Sequence, residues 1–154
     1  MPSGSRLWSV ATGGYACGCA VLLLVALSPI TATAGSLLDL PTGVPPVVVF
    51  AAPVFALGAV VWWGLVERPT AYTYLHGVAA GVATAVLAVA FWVLVFAARF
   101  GIPLVRRGDI VIGFVLVFAL AVGSLYGLTA MYARGRLSTP ASASSATASH
   151  APND

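Results

Sequence analysis

Four long apolar runs organise the chain: 10–34, broken at Ser28-Pro29, then 47–66, 77–98 and 110–132. A helix needs about 20 consecutive apolar residues to cross a hydrocarbon core of about 30 Å. The last three runs have 20, 22 and 23 residues and contain no Asp, Glu, Lys or Arg. Buried helices of a soluble core do not explain them, because no polar faces are left to cover them. Lipid supplies no hydrogen-bond partners, so a crossing backbone must satisfy itself as a helix or close into a barrel. Barrel strands alternate polar and apolar positions. The stretch Ala85-Val86-Leu87-Ala88-Val89-Ala90 does not. The pattern predicts an all-α, integral membrane four-helix bundle over residues 1–136, with spans near 9–33, 47–66, 75–98 and 110–133.

Breakers stand where these helices should end. Gly43, Pro45 and Pro46 precede the second span, and Glu67-Arg68-Pro69-Thr70 forms a polar turn in which Thr70 can cap the next helix. Gly101 and Pro103 should stop the third span, and Asp109 can cap the fourth with its charge at the positive end of the helix dipole. Pro53, inside the second span, should kink it by removing one backbone bond. Residues 137–154 are rich in Ser, Thr, Ala and Pro, too polar and small-sided to pack, and read as a disordered tail.

The first run admits two readings. Arg6, the apolar stretch 16–27, the break at Ser28-Pro29 and Ala32-Thr33-Ala34 before Gly35 have the grammar of a cleaved signal peptide, which would leave three spans. The stretch from Trp8 to Leu27 is also about 30 Å long as a helix, enough for a retained first span, and that is the expectation adopted.

Composition sharpens the class. Of 154 residues, 60% are hydrophobic and 7% charged, where a soluble domain carries roughly a quarter charged. The net charge of +3 comes from Arg without Lys, scattered between the apolar runs, and a nucleic-acid interface would need them clustered on one face. This Ala/Val/Gly-rich, Lys-free style is similar to that of small membrane proteins of GC-rich prokaryotes, which makes a prokaryotic cell membrane the expected location. With four spans, Arg6, Arg68, Arg134 and Arg136 share one side, and Arg99, Arg106 and Arg107 the other. The positive-inside rule then favours both termini in the cytoplasm, by four against three. All five Tyr, with Trp8, Trp62 and Trp63, also fall on the terminal side, as aromatic rings collect at headgroup level.

Candidate chemistry is sparse. Cys17 and Cys19 project about 200° apart on a helix and cannot share a ligand, so packing is their expected role. His76 and Glu67 sit at the terminal-side interface and are the low-priority functional candidates. The bland expectations are a snorkelling His and a solvated Glu67-Arg68 pair. An ionisable residue inside a span marks an ion or proton path, and the spans have none. No catalytic, cofactor or metal motif occurs, so neither an enzyme nor a cofactor is expected.

The positive signal is packing. Gly77, Gly81 and Ala85 in the third span, and Ala119, Gly123 and Gly127 in the fourth, repeat at four-residue intervals, which lets helix backbones approach closely. Gly14 and Gly18 could do the same in the first span. The third and fourth spans should therefore pack as an antiparallel pair, turning Val86, Phe91, Trp92, Val93, Phe114, Val117 and Phe118 toward lipid or a partner. The expected function is a small multi-pass protein acting as an accessory or assembly partner within a membrane complex. Its partners would be the bilayer, other membrane subunits or a second copy. The alternative is a small oligomeric transporter or channel whose uncharged path is lined by Thr84, Ser124 and Thr129.

Overall fold

The computed structural model describes residues 3–41, 43–67 and 73–137. Arg68, Pro69, Thr70, Tyr72, His150 and the 138–154 part of the tail lie outside these. Six α-helices follow one another: α1 (Ser3–Ala26), α2 (Ser28–Leu37), α3 (Pro46–Trp62), α4 (Tyr74–Phe100), α5 (Ile102–Arg107) and α6 (Asp109–Leu137). There is no strand among the described residues. Four helical stretches are long and apolar enough to cross a membrane: Leu7–Ala26, Pro46–Glu67, Tyr74–Phe100 and Asp109–Arg136. Between 17% and 22% of an 18-residue apolar core of each stretch is buried inside the protein. The remaining apolar surface is of the kind that only lipid satisfies. This is a small multi-pass membrane protein built as an all-α bundle.

Local chemistry sets the boundaries. Ser28 and Pro29 end α1 and restart the chain as α2, with Pro in the first turn where its missing N–H costs nothing. Gly101 takes φ +84°, a conformation that favours glycine, donates to the Ala97 carbonyl at 2.9 Å and closes α4. The chain does not loop out there, because Ile102-Pro103 begins the short α5 at once. The cap of α4 is Thr73. Its hydroxyl meets His76 Nδ1 at 3.0 Å, and its backbone N–H donates to the same nitrogen at 3.2 Å. Asp109 opens α6, its carboxylate accepting the Ile110 N–H at 2.7 Å. Pro53 lies inside α3 and leaves one carbonyl without its helical donor. Close by, the Phe50 and Ala51 carbonyls take side-chain donors from other helices, Trp92 Nε1 at 3.1 Å and Cys17 Sγ at 3.7 Å.

The helices form a ring in the order α1, α3, α4, α6, with α1 along α3, α3 on α4, and the broadest contact between α4 and α6. α1 docks through Gly13, whose hypothetical Cβ would lie 2.7 Å from the Phe55 carbonyl oxygen, and through Ala16, which meets Gly58. The sequence points instead to Gly14 and Gly18. Gly14 only grazes the Phe55 ring, and Gly18 has open space. Small-residue spacing alone does not say which side of a glycine-rich helix turns inward.

This docking bears on the N-terminus. Ala16 is 3% exposed and belongs to the same core as Trp62 and Tyr126, so removing residues 1–34 would uncover that core. Full-length mass is therefore expected for the chain extracted from membranes. A mass lacking residues 1–34 would refute the four-span bundle.

Candidate functional site

The two ends of the bundle differ. At the terminal-side end, α3 finishes in a π turn, Trp63–Glu67. Five residues along an α-helix place side chains about 140° apart, whereas a π turn bonds i to i+5 and brings Glu67 beneath Trp62. The Trp62 indole N–H donates to Glu67 Oε1 at 3.3 Å. Arg134 of α6 grips the same carboxylate with both guanidinium nitrogens, Nη1 on Oε1 and Nη2 on Oε2, the latter at 3.3 Å. The side chains are 5% exposed for Glu67 and 13% for Arg134, so the pair is shielded. Glu67 is thus not a solvated loop residue: it ties the end of α3 to the end of α6.

Aromatic rings continue this clamp inward. Tyr126 of α6 stands 5.5 Å from Tyr15 and 6.4 Å from Trp62, ring centre to ring centre. The Tyr15 hydroxyl meets Thr129 Oγ1 at 3.0 Å, closing α1 on α6. The Tyr126 hydroxyl turns to Thr12 at a geometry short of a hydrogen bond. His76 stays on its own helix as a cap, and no described contact joins it to Glu67.

The glycine seam between α4 and α6 runs from the terminal-side end toward mid-bundle. A Cβ on Gly123 would sit 2.6 Å from the Gly81 carbonyl oxygen, and one on Gly77 would sit 2.7 Å from that of Gly127. Ala85 closes over Gly123, at 3.2 Å from the same hypothetical Cβ. Ala119, one turn further on, is half-buried and lines a cavity instead.

That cavity is the second feature of the site. Beyond the Tyr15–Thr129 contact lies a crevice of about 710 Å³ bordered by all six helices. Ala16, Cys19, Gly81, Ala85 and Gly123 form its narrow end, with Tyr126 against it. Trp92 and Val93, expected on the outer surface, form part of its wall. α2 and α5 flank its mouth, where Arg107 is the one charged residue of the lining. The volume lies within the range of small-molecule sites, about 300–1,000 Å³. Of the outward-facing residues expected on α4 and α6, Val86, Phe91, Phe114, Val117 and Phe118 are exposed.

The candidate polar path does not assemble. Thr84 donates to the Ala80 carbonyl, Ser124 to Leu120 and Thr129 to Leu125, each back onto its own helix. Of the three, only Thr84 borders the crevice. Cys17 and Cys19 are free thiols on opposite sides of α1, one toward Ala51 and the other at the crevice. No group of three or more His, Cys, Asp or Glu able to hold a metal occurs among the described residues.

Sequence reasoning missed the clamp and the crevice. One signal pointed to the clamp: Glu67 is the only acid at its end of the bundle apart from Asp154 of the tail, among Arg6, Arg68, Arg134 and Arg136. No family model matches the chain, and neither a curated protein nor a solved structure matches it.

Proposed function

We propose that this is a non-enzymatic accessory protein of the membrane, which works by holding an apolar guest between its helices. The crevice carries this reading. One end of the bundle is fastened by an ion pair, an aromatic cluster and a glycine seam, and the other end surrounds an apolar hollow. Close-packed interiors leave few voids larger than a water molecule, so a hollow of this size is a place for something else. Its walls offer no converging donors or nucleophiles, which favours binding over catalysis. The same lining supports an apolar guest over a transport path, since a hydrated route needs polar groups facing one another.

The reading is tested by cysteine accessibility. In a chain carrying Cys17→Ala and Cys19→Ala, Ala119→Cys places one thiol in the crevice, and Arg106→Cys places one on the exposed surface as a reference. A charged, membrane-impermeant thiol reagent should modify the Arg106→Cys chain readily and the Ala119→Cys chain far more slowly, from either side of the membrane. Equal rates would mean a water-filled crevice and would turn the assignment toward a channel or transporter.

A further inference from the structure

The crevice has a direction and a charge, and together they specify its guest. Along α6 its lining runs from Val111 to Tyr126, fifteen residues or about 22 Å at 1.5 Å per residue. It begins beside Arg107, among the charged residues that follow the third span, and it ends where Tyr15 meets Thr129. A transmembrane helix of a partner would need to cross about 30 Å and would be pushed out at that closed end. A hydrocarbon chain anchored in one leaflet has only about half of that thickness to fill, so it ends inside the crevice.

The mouth adds the headgroup. Arg107 is exposed, borders the hollow and forms no ion pair among the described residues. Of the lining threonines on α2, buried Thr31 donates its hydroxyl to the Leu24 and Leu27 carbonyls and exposed Thr33 to the Pro29 carbonyl, leaving oxygen lone pairs but no free donor. The nearest acid in sequence, Asp109, lies outside the lining and accepts the Ile110 N–H. A guanidinium is the side chain suited to phosphate, with forked N–H donors matching two oxygens.

We propose that the crevice binds one anionic phospholipid, its acyl chain lying along α6 and its phosphate on Arg107. This rests on the apolar-guest reading and adds the identity of the guest.

The full chain is reconstituted in vesicles of neutral phosphatidylcholine with a minor share of phosphatidylglycerol, one lipid at a time brominated on its acyl chains. Quenching of Trp92, which lines the crevice, is taken as the difference between the wild-type chain and Trp92→Phe. Brominated phosphatidylglycerol should quench well beyond its share of the bilayer. Arg107→Gln should weaken that preference about tenfold, as expected for loss of one charge-assisted contact. Arg106→Gln, beside it but outside the lining, should change it little. Thermal unfolding checks that both variants keep the fold.

If brominated phosphatidylcholine quenches Trp92 equally well and Arg107→Gln has no effect, headgroup recognition is overturned while the apolar-guest reading stands. If neither lipid quenches Trp92, both fall. If inorganic phosphate abolishes the preference at constant ionic strength, Arg107 binds free phosphate and the lipid assignment is overturned.

Discussion

Gly81→Leu should unfold the bundle at a temperature about 10 °C lower, or prevent its assembly in detergent altogether. Overpacking a core costs about 1–3 kcal/mol when neighbouring side chains can give way. At this position the neighbours cannot. A Cβ on Gly81 points straight into the Gly123 carbonyl, and one on Gly123 would lie 2.6 Å from the Gly81 carbonyl. Relief therefore requires two helices to move apart, which breaks the most extensive contact of the fold. A loss above about 3 kcal/mol follows, and for about 150 residues each kcal/mol lowers the unfolding temperature by about 2–4 °C. Gly113→Leu is the matched control. Gly113 lies on α6, the helix that α4 packs against, is exposed and has nothing within 4 Å of a hypothetical Cβ. Thermal unfolding of both variants in mild detergent checks the claim, and equal midpoints for Gly81→Leu and the wild-type chain would discard the seam.

The contrast between Gly81 and Gly113 shows how far a sequence of this kind can be read. Spans were legible because membrane insertion is decided by local composition. Charge-free runs of about twenty residues specify helices whatever the partners, and the last three spans begin and end within three residues of the expected ones, whereas the first stops at Ala26 instead of reaching 33 because Ser28-Pro29 starts a separate helix. The four-residue glycine spacing on two neighbouring spans marked the faces that meet, since close approach needs a small residue at each turn. On α1 the same spacing pointed to Gly14 and Gly18, yet Gly13 makes the contact. Helix rotation is set by the whole neighbourhood, here the fit of Ala16 against Gly58. Trp92 is a similar case. Its bulk suggested a lipid-facing position, but its N–H found the Phe50 carbonyl near Pro53, and that bond turned it toward the crevice.

The crevice was illegible for a different reason. A void is defined by residues from every helix at once and leaves no mark in any one of them. Its asymmetry arises because the side-chain fastenings that hold α6 to α1 and α3 gather at one end: the ion pair, the Tyr15–Thr129 contact and the aromatic cluster all belong to the terminal side. The other end holds two short helices, α2 and α5, whose starts are fixed by Pro29 and Pro103. A bundle pinned at one end and interrupted at the other leaves room for the crevice between its helices.

Breaking the pin from one side should cost far more than removing it whole. Glu67→Gln keeps the shape of the side chain but takes the carboxylate charge away from the shielded Arg134 guanidinium. Arg134→Met does the converse to a carboxylate that is 5% exposed. Removing one partner of a buried ion pair typically costs about 3–5 kcal/mol, mostly through the stranded charge. Glu67 also accepts the Trp62 indole N–H. Gln retains an oxygen for that bond, which places Glu67→Gln near the lower end of the range. The double variant Glu67→Gln with Arg134→Met strands no charge, and neutral replacement of buried pairs is often close to neutral in stability. The expected pattern is two strongly destabilised single variants and a double variant recovering most of the loss, a coupling of at least about 1.5 kcal/mol where unconnected sites would add within about 0.5. Unfolding midpoints of the four chains in one detergent decide it. Additive losses would show that Glu67 and Arg134 act separately, and the clamp would then rest on the aromatic cluster of Tyr15, Trp62 and Tyr126 alone.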